Sequence, residues 1–326
     1  MARQDTIRRL ERLLDRAEPR LRAEFRRIIR QIKSEYTLDR IAKLIEAGRW
    51  QAAVTEIASA FSIWADTVAA TFVTAGTSTA EEFLSNIGVG RISFNQVNQR
   101  AVNIMASQRL DLIRQFTQQQ TAATRMALTD GITRGLNPRA QARLFRDSIG
   151  LTDTQMSHVL RYRRQLESRS ATELRSTLRR ALRDRRFDSV VERAARTGVL
   201  SDAQIDRMVS RYTERYIKYR SEVIARTEAL RSVHEGAKEA FDQAVDAGRI
   251  DANRLERKWV TARDARVRDT HRAMNGQTTS HDGVFTSGAG NALRYPGDPA
   301  APAEEVIQCR CVVVTRIKEA SDGSES

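Results

Sequence analysis

The chain begins with a regular succession of apolar and charged positions. Apolar residues recur at steps of three and four from Ile7 to Ile32, which is the period of an α-helix with one buried face. Pro19 follows Glu18 inside this segment. Because proline cannot donate a backbone hydrogen bond, we expect a break or kink there.

The most apolar segment, residues 51–76, has the same helical period. Its large apolar side chains form one stripe and occur at Val54, Ile57, Phe61, Trp64, Val68 and Phe72. Glu56 and Asp66 interrupt the segment, and their carboxylates would be costly at the depth of a bilayer. We therefore expect a core or bundle helix here, and no membrane as a partner.

Helix-initiating patterns follow in the middle of the chain. Four of them are present, at Asn137-Pro138, Thr152-x-x-Gln155, Ser170-x-x-Glu173 and Ser201-x-x-Gln204. The last predicted helix runs from about residue 202 to Gly248, which is long for a globular protein. We expect it to kink near Gly236 or to span the gap between two domains.

After Gly248 the pattern changes. Glycine, proline, Asn-Gly and Asp-Gly cluster in residues 275–302, and the β-branched residues 306–317 predict a strand. The predicted fold class is mainly α, with an elongated helical N-terminal region and a small α+β C-terminal module. The predicted divisions are a helical region at 1–130, a basic helical bundle segment at 131–204, a C-terminal domain at 205–317 and a disordered tail at 318–326.

The net charge of +14 comes mostly from arginine, which suits phosphate and carboxylate contacts. Residues 161–186 contain ten arginines and only three acidic residues. This excess of positive charge would repel itself without a polyanion or an acidic protein surface as partner. We expect nonspecific DNA contact through this segment and through the arginines of residues 3–30. The candidate DNA-binding residues of the segment are Arg161, Arg163, Arg164, Arg179, Arg180, Arg183, Arg185 and Arg186.

Residues 137–166 also have the layout of a helix-turn-helix, with Gly150 in the turn. Arg146 occupies the position four before that glycine, where two crossing helices need a small residue. An αα-hairpin inside a bundle is therefore the favoured interpretation, and a DNA-binding regulator is the alternative.

The only two cysteines, Cys309 and Cys311, are two residues apart and would point to one face of the predicted strand. Residues 261–274 predict a short helix on which Asp264, Arg268 and His271 lie along one face. If that strand packs on that helix, His271 and the two thiolates could bind zinc.

The fourth zinc ligand would be Asp264 or His281, and spacing does not decide between them. The alternative to a metal site is a polar latch formed by Asp264, Arg268 and His271 beside two buried apolar cysteines. We favour the latch and expect no cofactor, with zinc as the alternative.

Catalytic motifs are absent from the sequence: it has no Walker loop, no G-x-S-x-G and no H-E-x-x-H. We expect the protein not to be an enzyme. The alternative is a zinc-dependent hydrolase or nuclease built on His271, Cys309 and Cys311.

Several C-terminal segments resemble one family in order and spacing. They are IARTE at 224–228, KWVTARDARVRDTHRAMNGQ at 258–277, YPGDP at 295–299 and CRC at 309–311. Together they are similar to the phage head morphogenesis family, the Mu F-like minor head proteins, over roughly residues 205–317. The residues that carry the signature are Arg226, Glu228, Trp259, Asp264, Arg268, His271, Asn275, Gly276, Cys309, Arg310 and Cys311.

The resemblance implies a minor capsid protein of a tailed phage that acts in procapsid assembly and in DNA packaging or delivery. It implies the portal protein as partner, with the major capsid or scaffold protein as further partners. The implied location is the virion, inside the head near the portal vertex, and the host cytoplasm during assembly.

Overall fold

A computed structural model describes residues 2–87 and 92–318, and the predicted tail lies, apart from Lys318, outside the described residues. Most of the described residues are helical, which confirms the predicted mainly α class with a small α+β region at the C-terminal end. The α-helices before residue 200 are α1 (Ala2–Glu35), α2 (Leu38–Glu46), α3 (Trp50–Ala60), α4 (Ser62–Ser78), α5 (Gln99–Thr133), α6 (Pro138–Ser148), α7 (Asp153–Glu167), α8 (Ala171–Thr177) and α9 (Asp188–Thr197).

The remaining elements are one very long helix followed by five short strands and two short helices. They are α10 (Asp202–Asp246), β1 (Leu255–Val260), α11 (Asp269–Arg272), β2 (Thr278–Ser280), β3 (Phe285–Thr286), β4 (Ala292–Leu293), α12 (Ala303–Val306) and β5 (Val312–Ile317). Strands β2, β1 and β5 form one antiparallel sheet with β1 in the middle, and β3 pairs with β4.

The chain divides into two compact units, each assembled from segments that are distant in the sequence. Unit 1 consists of Met1–Ala23, Trp64–Arg109 and Glu222–Ser326, and unit 2 consists of Glu24–Ile63 and Leu110–Ser221. Helix α10 contributes residues to both units.

Unit 2 has an aromatic core. The Phe61 ring stacks on Phe116 with centroids 3.8 Å apart, and Phe25 meets Phe61 edge-on at 5.5 Å. The connection between α6 and α7 lies close to α1 at Gly150, which has φ +83°. A Cβ added at Gly150 would approach the Ile29 side chain of α1 to 2.9 Å. Only glycine satisfies both the positive φ and this close approach.

Several sequence-based helix boundaries are confirmed by their caps. The Asn137 side chain accepts a hydrogen bond from the Ala140 N–H, and Thr152 and Gln155 form a complete capping box. Ser201 and Gln204 also bond each other's backbone N–H groups. The box predicted at Ser170 is wrong, because its side chain makes no capping hydrogen bond.

The structure decides the extent of four predicted helical segments. Helix α1 continues through Pro19, and α10 continues through Gly236. The apolar segment is divided at Phe61, where α3 ends and α4 follows. The basic helix expected beyond residue 170 ends at Thr177, and turns and a 3-10 helix at Arg185–Phe187 follow it.

By length and composition alone, the helical segment Trp50–Glu82 is apolar enough to cross a membrane. The six side chains of its apolar stripe are nevertheless buried inside the protein, and none is more than 3% exposed. They are Val54, Ile57, Phe61, Trp64, Val68 and Phe72. Packing of this stripe in the protein core therefore explains why the segment is so apolar.

Candidate metal centre

The candidate site lies in unit 1, where the start of β5 meets β1 and the short helix α11. Trp259 of β1 is fully buried and pairs with Val313 of β5. The Asn275-Gly276 turn, which follows α11, brings the chain back alongside β1. There the Gly276 N–H donates to the Trp259 carbonyl oxygen at 2.9 Å. Gly276 has φ +92°, a backbone conformation in which a side chain would be strained.

Asn275 fixes the other side of the same turn. Its Oδ1 accepts hydrogen bonds from the backbone N–H and the hydroxyl of Thr261, at 3.1 and 3.2 Å. The N-G pair that is part of the sequence signature therefore holds the loop after β1 against the segment that follows α11.

One imidazole and two thiols meet at the centre of the site. The Nδ1 atom of His271 lies 3.5 Å from the Sγ atom of Cys309 and 3.5 Å from the Sγ atom of Cys311. His271 is 1% exposed and each cysteine is 2% exposed. The structure thus brings together the three residues that the sequence nominated as metal ligands, and their ligand atoms all lie within 4.8 Å of one another.

A buried carboxylate lies behind the imidazole. The Oε2 atom of Glu305 is 3.0 Å from Nε2 of His271, although the contact does not have the angles of a hydrogen bond. Thr270 and Asn291 each donate a hydrogen bond of 3.0 Å to the same carboxylate. Burial by itself would raise the pKa of Glu305, but the bonds from Asn291, Ser287 and Thr270 outweigh it and lower the pKa.

The two thiols share their protons unequally. The side-chain hydrogen bond between them lowers the pKa of Cys309 well below its ordinary value, and contact with His271 lowers it further against the effect of burial. The same bond, together with burial, raises the pKa of Cys311. Cys309 is therefore the more acidic of the two thiols.

Asp264 and Arg268 lie in a loop, because α11 begins only at Asp269. The prediction of one helical face carrying Asp264, Arg268 and His271 is therefore wrong, and Arg263, with φ +55°, interrupts the expected helix. Asp264 instead pairs with both terminal nitrogens of Arg310 at 2.5 Å, and Arg268 donates to the carbonyl oxygen of Ile307.

The three residues of the predicted latch nevertheless contact one segment of the chain. Asp264 pairs with Arg310, Arg268 with the Ile307 carbonyl, and His271 lies beside Glu305, and these partners are close in the sequence. Neither candidate for a fourth ligand lies in the cluster: Asp264 pairs with Arg310, and the Nε2 atom of His281 is 2.5 Å from Asp242. The predicted strand at 306–317 is also shorter than expected, because β5 begins at Val312, just after the second cysteine.

The remaining signature residues have structural partners or positions in the same unit. Arg226 of α10 binds the Glu18 carboxylate at 3.1 and 3.2 Å, and Glu228 is half-buried on the same helix. An open cavity of about 720 Å³ lies beside them and is lined by Glu18, Arg226, Arg310 and Cys309, among others.

Glu305 is the site residue that the sequence did not nominate. It lies in the four-residue helix α12, and the acidic pair Glu304-Glu305 in front of the cysteines gave no reason to choose either carboxylate. A second group, Asp242, His281 and Asp282, also has ligand atoms within 4.8 Å of one another, but Lys238 already pairs with both of its carboxylates.

The eight arginines proposed for DNA contact lie in unit 2 and fall into two groups. Five have exposed side chains: Arg161, Arg164, Arg179, Arg185 and Arg186, the last paired with Asp184. Three are engaged inside the unit: Arg163 with Asp206 at 2.8 Å, Arg183 with Asp188 at 2.9 Å, and Arg180 with Gln165 at 2.6 Å.

Comparison with known proteins gives one result. No curated protein and no solved structure matches this chain. A family model does match, beginning about twenty residues before the region that the sequence motifs cover and including the site described above. The resemblance predicted from the sequence is confirmed, because residues 185–314 match the family described as Phage Mu protein F like protein.

Proposed function

We propose that this protein is a minor head protein of a tailed phage that binds the portal and acts in head assembly. The single observation that carries the proposal is the family match over residues 185–314, which indicates a phage head morphogenesis protein. The match includes the complete ordered set of signature residues from Arg226 to Cys311.

The helical part of the chain supplies the docking surface in this proposal. The portal protein is the principal partner, and the major capsid or scaffold protein is a further one. The protein assembles in the host cytoplasm and remains in the virion, inside the head near the portal vertex. Its exposed arginines contact the packaged DNA without sequence preference, because phosphate contacts carry affinity but little sequence information.

A structural role fits the C-terminal site better than hydrolysis does. His271, Cys309, Cys311 and Glu305 are each no more than 2% exposed. A phosphodiester or peptide substrate would need to reach these atoms, and their burial argues against a nuclease or hydrolase. We therefore propose that the protein is not an enzyme.

The interior pairing of Arg163 argues in the same way against a helix-turn-helix regulator. This residue lies on α7, which would be the recognition helix, and it is 8% exposed in ion pairs with Asp206 and Asp147. A recognition helix needs its arginines available for base edges, and Arg163 is not available, although Arg161 and Arg164 on the same helix are exposed.

Co-expression with the cognate portal protein, followed by affinity capture of the portal, tests the proposal. We expect the chain to co-purify with its own portal and not with the portal of an unrelated phage. Mass spectrometry of purified virions should detect the chain in the head. Failure to bind portal, together with absence from virions, would overturn the proposal.

A further inference from the structure

We propose that His271, Cys309 and Cys311 bind one zinc ion, with water as the fourth ligand and with Glu305 orienting the imidazole. This proposal stands on the geometry of the cluster and does not depend on the proposed role in head assembly.

The first argument is the spacing of the ligand atoms. Zinc bonds of about 2.0–2.1 Å to imidazole nitrogen and about 2.3 Å to thiolate sulfur, at tetrahedral angles, place nitrogen and sulfur about 3.6 Å apart. The two observed separations between His271 Nδ1 and the sulfurs of Cys309 and Cys311 are both 3.5 Å.

The second argument is that both sulfurs approach the same nitrogen. A neutral imidazole Nδ1 has one lone pair and accepts one linear hydrogen bond, so thiol hydrogen bonding accounts for one of these contacts. A cation between the three atoms accounts for both. Buried groups of this kind without an ion would leave part of their bonding capacity unused.

The third argument is the carboxylate on the far side of the ring. The negative charge of Glu305, 3.0 Å from Nε2, favours the proton on that nitrogen and leaves the Nδ1 lone pair facing the sulfurs. Metal-binding histidines commonly donate the other ring N–H to a carboxylate, and Glu305 is the carboxylate that lies beside this nitrogen, although without the angles of a hydrogen bond. Thr270 and Asn291 in turn hold the carboxylate in place.

Two further groups lie against the cluster. The backbone N–H of Cys311 points at the Cys309 sulfur from 3.4 Å. The Trp259 indole ring meets the His271 ring edge-on at 5.5 Å, and its buried N–H has no oxygen or nitrogen acceptor. Sulfur and nitrogen ligands in a small tetrahedral site select zinc over calcium and magnesium. Cys309 also lines the open cavity.

The ion would have a structural role. It would join α11 to the segment just before β5. Because such a site forms only in the folded chain, metal binding would contribute to the folding free energy of unit 1.

Elemental analysis of the full chain, produced without an affinity tag and purified without chelator, is the decisive experiment. We expect about one zinc per chain in the wild type. The Cys309→Ser and Cys311→Ser variants should lose it, whereas His281→Gln, which alters a histidine outside the cluster, should retain it.

Since a cysteine variant can fail to fold, a second measurement uses the wild-type chain alone. Zinc removed by a chelator is replaced with cobalt, and the expected spectrum has thiolate-to-cobalt charge-transfer absorption and the intense visible bands of a tetrahedral ion. Chelation should also lower the thermal transition of unit 1 while the remaining helical signal persists.

The Glu305→Gln variant tests the orienting role. Zinc should still bind, but its affinity in competition with a chelator should fall about tenfold or more. Unchanged affinity would remove Glu305 from the proposal. A folded wild-type protein that contains no zinc, shows no cobalt charge transfer and is indifferent to chelators would overturn the metal site and leave the polar latch beside apolar cysteines.

Discussion

Gly236 of α10 lies directly against the backbone carbonyl oxygen of Phe72 in α4. A Cβ added at Gly236 would overlap that oxygen and would also come within 3.1 Å of Ala75 Cβ and of the Gly76 nitrogen. Two helix backbones approach each other here as closely as only glycine permits. The glycine that the sequence suggested as a kink thus serves close helix packing in unit 1.

We therefore expect Gly236→Ala to destabilise the protein by about 2 kcal/mol, because overpacking against backbone exceeds the gain in helix propensity. Gly131→Ala is the matched control on α5, where an added Cβ meets mainly the flexible Gln141 side chain at 2.9 Å. That variant should cost less than Gly236→Ala, because the Gln141 side chain can shift more readily than the Phe72 backbone oxygen. Urea unfolding of both variants measures the difference, and equal effects would contradict this account.

Arg220 is buried in unit 2 without a carboxylate partner among the described residues. Its guanidinium donates to the Gly150 carbonyl oxygen at 2.8 Å and to Gln119 at 2.5 Å, and burial lowers its pKa to about 10. It also lies over the Phe116 ring at 5.5 Å. These contacts replace the hydration that the buried charge has lost.

Replacing Arg220 with alanine should cost about 3 kcal/mol, since it removes the donor to the buried Gly150 carbonyl oxygen and to the half-buried Gln119 side chain and opens a cavity beside the aromatic core. Lys218→Ala, on the exposed face of the same helix, should change stability by no more than about 0.5 kcal/mol. Chemical denaturation decides the matter. A loss below about 1 kcal/mol for Arg220→Ala would show that the contacts contribute little.

Asp184 should govern part of the stability of unit 2 in acid. A hydrogen bond from Arg186 lowers its pKa to about 2, against the opposing effect of burial. Because the folded pKa lies below that of the unfolded chain, about 3.9, the stabilisation is complete above pH 4 and is lost as the pH falls towards 2.

The Asp184→Asn variant should therefore be less stable than wild type near pH 5 and should lose less stability on acidification to pH 2. Thermal unfolding across this pH range measures both effects. Asp269→Asn, at a side chain that is 92% exposed, is the control and should leave the acid dependence unchanged. Identical pH profiles for Asp184→Asn and wild type would contradict the prediction.

DNA contact through the basic segment can be tested with exposed arginines that the fold does not use. The double variant Arg179→Gln/Arg185→Gln should weaken binding to duplexes of unrelated sequence and reduce the slope of log affinity against log salt by about 0.9 per lost phosphate contact. Arg249→Gln/Arg263→Gln removes the same charge from exposed positions in unit 1. If both double variants reduce the slope equally, net charge alone is responsible.

The sequence by itself determined the features that depend on nearby residues. The apolar period of α1, the caps at Asn137, Thr152 and Ser201, and the mainly α class were all predictable, because helical hydrogen bonds and caps join residues three or four apart. The resemblance to the Mu F-like family was likewise visible in short ordered motifs, and the family match confirms it.

Only the tertiary structure decided the features that join distant parts of the chain. The helix expected at 261–274 is mostly a loop, since Asp264 pairs with Arg310 and Arg268 with the carbonyl of Ile307. The two compact units are built from interleaved segments, and the carboxylate behind His271 comes from Glu305 rather than from Asp264 or His281. Such contacts depend on which elements pack together, and local periodicity carries no information about packing between segments that are far apart in the sequence.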